Sequence, residues 1–277
     1  MSDRSAADAA LTLVIPCYNE AHRFRHEAFA SALTSQGWLS LCFVNDGSTD
    51  TTAEVLEAFR QAYPGRVAVL TLPHNVGKGE AVRRGLLHAA DRGPANGAQL
   101  VGFWDADLAT PLEECAALRA QLEGRPETEW VFGIRLRSLG RQVSRRAARH
   151  YLGRLFATAA SLTLGVGAYD TQCGAKLFRV TPLLRAVLSE PFRSRWIFDV
   201  EMLMRAQELL GGRSASARHH PGDEGPLTAL VYEQPLARWT HQPGSKVRPT
   251  DFLRALRDLA RVRGDRARWR ARRITEG

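Results

Sequence analysis

Cysteine is scarce in this 277-residue sequence, and the few cysteines show no paired spacing. The four are Cys17, Cys42, Cys115 and Cys173. They match neither the close ligand pairs of a zinc site nor the framework of a small disulfide-rich protein. Three of them lie in or beside apolar runs. We therefore expect small core residues in a reducing compartment, and no zinc ion bound by cysteine.

Long apolar runs are missing as well. The longest charge-free candidate for a membrane helix, residues 155–169, is too short to span a bilayer and contains glycine, serine and threonine. Residues 1–10 lack the basic start and apolar core of a signal peptide, and we expect them to form a flexible N-terminus. The sequence therefore predicts a protein that lies on a membrane surface at most.

Acidic residues are outnumbered by basic ones. The chain has 29 Asp and Glu against 38 Lys and Arg, which gives a net charge of +9. Arginines are concentrated in the segments 135–154 and 254–273. Such patches favour partners that carry phosphate, namely anionic lipid, nucleic acid or a phosphorylated substrate. For any single arginine, a solvated surface position is the simpler explanation.

Apolar segments alternate with helical patterns along the first half of the chain. Strands are predicted at 11–15, 39–44, 67–72, 100–104 and 130–134, with helices between them. This alternation predicts an α/β fold, a Rossmann-like and mostly parallel sheet with helices on both faces. After residue 134 the pattern predicts a long basic helix over 143–164 and strands over 175–180 and 227–232.

Each of the first four strands is followed by polar residues suited to a nucleotide. Tyr18 and Glu20, after Pro16, could place a ring and a carboxylate beside a nucleobase, and Asp46 could accept from a base or ribose. Gly77 and Lys78 open a helix, where backbone amides and an ammonium group suit phosphate. Taken singly, each motif is equally well explained as a turn, a helix cap or a solvated lysine. Together they predict a nucleotide-diphosphate pocket.

The most informative motif is Asp105-Ala106-Asp107, directly after an apolar strand. Two carboxylates at the carboxyl end of a buried strand face the crevice where open α/β sheets bind ligands. Their charges repel at close range unless a cation compensates them. Mg²⁺ or Mn²⁺ would do so and would share its ligand shell with phosphate oxygens. The alternative on this motif alone is a pair of loop aspartates that cap the next helix.

These motifs together resemble glycosyltransferase family 2 with its GT-A fold, and more narrowly the dolichyl-phosphate β-glucosyltransferase type of polyprenyl-phosphate glycosyltransferase. The resemblance covers residues 11–247 and rests on VIPCYNE (14–20), VNDGSTD (44–50), NVGKGEAVRRG (75–85), DADLATP (105–111), DTQCGAKLF (170–178), WIFDVEML (196–203) and WTHQPGSKV (239–247). It implies a nucleotide-sugar donor, with UDP-glucose favoured, a divalent metal, inversion at the anomeric carbon and a polyprenyl phosphate acceptor.

The resemblance also implies roles for residues in the second half of the chain. Arginines that could hold the acceptor phosphate are Arg135, Arg145 and Arg149. Asp170 and Asp199 are candidate catalytic carboxylates, either on the acceptor side or orienting Arg and Lys, and either could instead cap a helix. Lys246 lies in a Gly-Ser-Lys loop that could close over the donor phosphate.

We expect one GT-A-like domain over 11–247 and a basic, helical C-terminal appendage over 248–277. Basic amphipathic helices in the C-terminal half could lie on an anionic membrane at its cytoplasmic face, or their apolar stripes could pack on the protein's own core. The alternatives are a soluble family 2 enzyme with a polar acceptor, and a basic RNA- or membrane-binding protein with an inactive nucleotide pocket. No paired-aromatic RNA-binding fingerprint is present, so no nucleic-acid partner is expected. The sequence sets no oligomeric state.

Overall fold

The computed structural model describes residues 11–92, 100–136, 142–144, 167–211, 226–242 and 249–272, with positions 158, 161 and 163–165. Its strands are β1 (Leu11–Cys17), β2 (Leu39–Asn45), β3 (Val67–Thr71), β4 (Leu100–Trp104), β5 (Trp130–Ile134), β6 (Gln142–Ser144), β7 (Ala175–Arg179), β8 (Val231–Pro235) and β9 (Arg238–Thr240). Its longer helices are α1 (His26–Ser35), α2 (Thr52–Ala62), α3 (Lys78–Asp91), α4 (Glu114–Gly124), α5 (Pro182–Leu188), α6 (Phe198–Leu209), α7 (Pro226–Leu230), α8 (Pro249–Gly264) and α9 (Arg266–Arg270).

Seven strands form one sheet in the order β3-β2-β1-β4-β7-β5-β8. The pairs among β3, β2, β1 and β4 are parallel, as is the pair of β5 with β8. Strand β7 runs antiparallel to both of its neighbours, β4 and β5. The predicted α/β class with a mostly parallel sheet is therefore confirmed.

Helices cover both faces of this sheet, and each face has its own apolar core. On one face α3, α5 and α6 pack against side chains such as Val14, Val44 and Phe103. On the other face α1, α2 and α4 pack against the alternate residues of the same strands, including Leu13 and Phe43. Because successive side chains of a strand point to opposite faces, strands that are apolar throughout match this double covering. The four cysteines are free and buried, as expected for core residues.

Two local predictions are corrected by strand pairing. The helix predicted from residue 143 begins too early, because Gln142–Ser144 forms β6 and pairs with β9, Val143 lying opposite Trp239. Most of 145–162 lies outside the described residues. The strand predicted over 227–232 starts later, since Pro226–Leu230 is helical and β8 enters register with β5 only at Val231. Proline at the first position of a helix favours that start.

The C-terminal helices pack on the same core as α6. Leu259 and Val262 of α8 and Trp269 of α9 are buried there, so at these positions the apolar stripe covers the protein itself. Two arginines of α9, Arg266 and Arg270, reach the fully buried carboxylate of Glu208 at 2.5 and 2.9 Å. The boundary after residue 247 stays a prediction, but the described part of the segment joins the core. No helix in the described ranges combines the length and apolar character needed to cross a bilayer.

Candidate active site

The carboxyl ends of β1, β2 and β4 meet where the strand order reverses. The chain passes from β1 through β2 to β3 on one side, whereas β4 lies on the other side of β1. The last residues of β1 and β2, Cys17 and Asn45, lie opposite each other. Open α/β sheets bind ligands at such a switch point. We call this region the motif edge; it contains Tyr18, Asp46, Lys78, Asp105 and Asp107.

Asp46 shapes the loop that leads into α3. One carboxylate oxygen accepts from the Val76 amide at 2.8 Å, and the other accepts from the Gly77 amide at 2.9 Å and the Asn75 side chain at 3.0 Å. Burial raises the pKa of Asp46, although these amides oppose the shift. Gly77 has φ +97°, a backbone conformation that glycine adopts without strain. The predicted contact of Asp46 with a base or ribose stays a prediction, since the observed partners belong to the protein.

Lys78 projects from the first position of α3 to the carboxylate after β4. Its Nζ lies 2.6 Å from Oδ1 of Asp105, and both side chains are more than one-third exposed. Partial desolvation of the ammonium group alone would lower the pKa of Lys78, but Asp105, Asp199 and Asp107 raise it above its ordinary value. The ammonium group therefore stays charged at neutral pH. The structure places a fixed cation beside the two motif aspartates.

The turn after β4 holds Asp107 in an unusual backbone setting. Leu108 has φ +50°, which is uncommon for a bulky residue and costs energy. The turn is held by the Leu108 amide, which donates to the Asp105 carbonyl at 3.1 Å, and by the Ala109 amide, which donates to Asp107 Oδ1 at 3.0 Å. Burial and the charge of Asp105 raise the pKa of Asp107. The strained turn brings two carboxylates that repel each other to one edge.

The residues after β1 border the same site. Pro16 is half-buried within β1, and the Tyr18 ring is 36% exposed just beyond its end. Glu20 pairs with Arg23 at 2.6 Å, and its charge contributes to the raised pKa of Asp107. The predicted base contacts of these residues stay predictions, but Tyr18 and Glu20 lie where a ligand at the motif edge could meet them.

Arg135 and Asp170 form a bidentate pair between the end of β5 and the segment before β7. Nε and Nη2 of Arg135 each donate to one oxygen of Asp170 at 2.7 Å. Glu233 of β8 accepts from the backbone amides of Tyr169 and Asp170, which fixes the segment that carries this carboxylate. Burial alone would lower the pKa of Arg135, but Asp170 raises it. Arg135 is therefore a fixed cation.

A second fixed pair lies beneath the motif edge. Nζ of the fully buried Lys176 is 2.7 Å from Oδ1 of Asp199, at the start of α6. The same ammonium group lies over the Phe103 and Phe132 rings at 5.0 and 4.8 Å. Burial raises the pKa of Asp199, against the lowering effects of Lys176 and Lys78. The charges of Lys78, Lys176, Asp105 and Asp199 therefore interact with one another around the end of β4.

Asp105 and Asp107 form a donor set that fits a divalent cation completed by a substrate. Within the described ranges, no group of three or more His, Cys, Asp or Glu side chains gathers to hold a metal. Mg²⁺ usually binds proteins through one or two carboxylates and takes phosphate oxygens as further ligands. Burial raises the pKa of Asp107, and the charge of Asp105 raises it further; a cation bound between the two carboxylates would relieve that repulsion. The pair therefore fits a metal that binds together with a diphosphate.

Some predicted site residues cannot be placed, and others were missed. Arg145, Arg149 and Lys246 lie outside the described residues. Lys176 and Glu233 had no predicted role, although the position of Lys176 between Ala175 and Leu177 signals a buried partner for its charge. Arg195 also reaches the motif edge, and no local pattern pointed to it.

Comparison with known sequences identifies the family. The profile described as Glycosyl transferase family 2 matches residues 12–185. A dolichyl-phosphate beta-glucosyltransferase of Trichomonas vaginalis is 32% identical over 216 residues, which cover 73% of this chain and 61% of that protein. A protein of the same name from Drosophila melanogaster is 30% identical over 272 residues, covering 90% of this chain and 73% of that protein. The chain thus spans less than two thirds of the first relative's length.

Solved structures share the architecture. Glucosyl-3-phosphoglycerate synthase from Mycobacterium tuberculosis, in complex with Mn²⁺, UDP and glucosyl-3-phosphoglycerate, matches with a TM-score of 0.61 and 20% identity over 94% of this chain and 80% of that one. Its complex with Mn²⁺, UDP-glucose and phosphoglyceric acid gives 0.62 at 19% identity, again over 94% and 80%. This likeness shows the GT-A fold. With the profile matching more than half of its length, the chain belongs to glycosyltransferase family 2.

Proposed function

We propose that this protein is an inverting glucosyltransferase that moves glucose from UDP-glucose to a polyprenyl phosphate. The observation that carries the proposal is the Lys78–Asp105 ion pair beside Asp107, at the switch point of a family 2 fold. Relatives named as dolichyl-phosphate beta-glucosyltransferases support the sugar and the acceptor. The structurally similar synthase in complex with Mn²⁺ and UDP-glucose supports UDP-glucose as the donor and a requirement for a divalent cation.

The donor diphosphate would lie at the motif edge. When the bond between the anomeric carbon and the phosphate oxygen breaks, negative charge builds on the leaving diphosphate. Mg²⁺ or Mn²⁺, held by Asp105 and Asp107, would supply Lewis-acid stabilisation of that charge. The ammonium group of Lys78, whose pKa is raised by the neighbouring carboxylates, would add a second positive charge beside the diphosphate. Tyr18 and Glu20 would border the uridine.

The acceptor is already a nucleophile. A phosphate monoester has a second pKa of about 6, so its oxygen needs little deprotonation at neutral pH. The larger difficulty is holding this anion beside the anionic donor, which calls for arginine. Arg135, fixed by Asp170, would provide the guanidinium group. Arg145 and Arg149 are proposed to extend this cationic surface.

Asp170 would orient Arg135 and Asp199 would orient Lys176, and neither carboxylate would abstract a proton. Each carboxylate is already committed to a cation, Asp170 to Arg135 and Asp199 to Lys176. An ionised acceptor makes a strong general base unnecessary. Attack of its phosphate oxygen on the face opposite the departing diphosphate would invert the anomeric carbon.

We further propose that the enzyme is a peripheral protein at the cytoplasmic face of the membrane. The arginines of 135–154 directly precede the apolar residues of 155–169, and a lipid phosphate has the same polarity, an anionic head joined to a long apolar tail. Each Lys or Arg near an anionic bilayer contributes about 1 kcal/mol of attraction, which salt screens. Arg145 and Arg149 would face the head groups.

The proposal is tested by following radiolabelled glucose from UDP-glucose into undecaprenyl phosphate in anionic liposomes, with Mn²⁺ present. We expect a glucosyl lipid, less product from GDP-mannose, and weaker liposome association as salt rises. 3-Phosphoglycerate and a phosphate-free sugar acceptor are the matched soluble arms. Efficient transfer only to a soluble acceptor would contradict the polyprenyl phosphate acceptor and favour a soluble family 2 enzyme with a polar acceptor. Binding of RNA or liposomes without donor hydrolysis or transfer would favour an inactive pocket.

Gly174 provides a steric test of the motif edge. A Cβ atom at this position would lie 2.0 Å from Oδ2 of Asp105, so Gly174→Ala must displace that carboxylate. We expect transfer to fall at least about tenfold and the Mn²⁺ concentration for half-maximal rate to rise, since misplaced metal-site groups commonly cost 10–100-fold. Gly124→Ala is the matched control, because a Cβ there meets nothing within 4 Å. Equal kinetics of the two variants would contradict the assigned role of Asp105.

A further inference from the structure

The loop Asn75–Gly77, which precedes Lys78, is held from two sides. On one side, the buried Asp46 accepts from the backbone amides of Val76 and Gly77. On the other side, Nε of Arg195 donates to the Val76 carbonyl and Nη2 donates to the Asn75 carbonyl, each at 3.2 Å. Amides and carbonyls of the same short loop are therefore bound by an anion and a cation. The first position of α3, which carries Lys78, follows directly.

The approach of Arg195 to this loop is close. A Cβ atom on Gly77 would lie 2.7 Å from Nε of Arg195, so a larger residue there would push the guanidinium group away. Two residues later, a Cβ atom on Gly79 would lie 3.0 Å from Cβ of Phe198, the first residue of α6. Because these two positions are glycines, Arg195 and Phe198 can pack closely against the start of α3.

The turn that carries Arg195 is itself held by the C-terminal helices. Oγ of Ser194 donates to Oδ2 of Asp258 in α8 at 2.8 Å and accepts from the Trp196 and Ile197 amides. Nε of Arg193 donates to Asp265, between α8 and α9, at 2.9 Å. The residues on either side of the turn therefore depend on a segment more than sixty positions away in the chain.

We infer that Arg195 is a positioning residue for the donor diphosphate, and that α8 acts on the same site through Asp258 and Ser194. Arg195 would hold the loop so that Lys78 stays beside Asp105. The C-terminal helices would then be part of the nucleotide site by mechanical support, without touching the ligand. This inference rests on the proposed function, since it assumes that a UDP-sugar binds at the motif edge.

The test measures UDP affinity by titration calorimetry with Mn²⁺, on the full chain. Arg195→Ala is expected to raise the Kd for UDP about fivefold to tenfold, because the loop before Lys78 loses the two hydrogen bonds that hold it on one side. The KM for UDP-glucose should rise similarly while the KM for the lipid phosphate stays unchanged. Arg195→Lys should give an intermediate Kd, since one ammonium group replaces the fork of donors.

Arg60→Ala is the matched control. Arg60 also makes two hydrogen bonds from an exposed guanidinium group, to Glu57, but it lies in the last turn of α2, which leads to the opposite edge of the sheet. Its Kd should equal that of the wild type. If the wild type does not bind UDP, the proposed function fails; if it binds and Arg195→Ala binds equally well, the positioning role fails.

Asp258→Ala tests the link to α8. We expect a smaller rise in the Kd for UDP, and less than the sum of the two effects when it is combined with Arg195→Ala, because residues that act through one contact are not additive. A lower melting temperature with an unchanged Kd would overturn this link and leave Asp258 a purely structural residue.

Discussion

Asp107→Asn is expected to reduce transfer at least about 100-fold while the melting temperature stays close to that of the wild type. Loss of partners around metal ligands already costs 10–100-fold, so removing the charge of a direct ligand should cost no less. The turn should survive, because the asparagine oxygen can still accept from the Ala109 amide as Asp107 does now. Burial and then the charge of Asp105 raise the pKa of Asp107, so a neutral asparagine spares the folded state both a buried charge and a repulsion.

The measurement is the rate of glucosyl-lipid formation over a range of Mn²⁺ concentrations, with an EDTA arm for the wild type. Asp91→Asn is the control, since Asp91 is 65% exposed at the end of α3 and its charge is paired with Arg185. We expect Asp91→Asn to transfer glucose at the wild-type rate, and EDTA to inhibit the wild type. Undiminished transfer by Asp107→Asn, or wild-type turnover in excess EDTA, would disprove metal-assisted departure of the diphosphate.

The motif edge could be predicted from the sequence because parallel strands deliver their carboxyl ends to one place. Once β1, β2 and β4 were recognised as strands, the residues after them had to lie near one another. The electrostatic coupling of Lys78, Asp105 and Asp107 agrees with that expectation. What the pattern did not reveal is the use of Asp46, whose oxygens bind loop amides of the protein itself.

Pairings between distant segments were harder to predict. The sequence predicts Arg135 for the acceptor phosphate and Asp170 as an acceptor-side carboxylate or one that orients Arg or Lys. It does not predict that these two residues pair, because their bidentate contact depends on β7 running antiparallel to β5. Arg195 was not recognised at all, because its partners are two backbone carbonyls 119 and 120 positions away. Every residue has a backbone carbonyl, so the amino-acid sequence does not indicate which carbonyls accept a hydrogen bond from a distant side chain. The sequence pattern therefore predicts where polar groups gather more readily than which groups they bind.

Lys176→Met is expected to destabilise the protein by about 3–5 kcal/mol, the largest effect on folding that we predict. The lysine is fully buried, and its removal would leave the buried carboxylate of Asp199 without the cation 2.7 Å away. Breaking one side of a buried ion pair is costly because the remaining charge is desolvated and uncompensated. Asp199 already has a raised pKa owing to burial, and without Lys176 the folded state would favour its protonated form more strongly.

The control is the double variant Lys176→Met with Asp199→Asn. Replacing both charges by neutral groups of similar size removes the uncompensated carboxylate, so most of the lost stability should return. Urea denaturation at neutral pH measures Lys176→Met, the double variant and Arg60→Met, the last of which reports the small effect of losing a solvent-exposed ion pair. If Lys176→Met costs no more than Arg60→Met, or if the double variant is no more stable than the single one, the Lys176–Asp199 pair does not stabilise this part of the site. If stability returns in the double variant while UDP binding stays weak, the pair serves the nucleotide site as well as the fold.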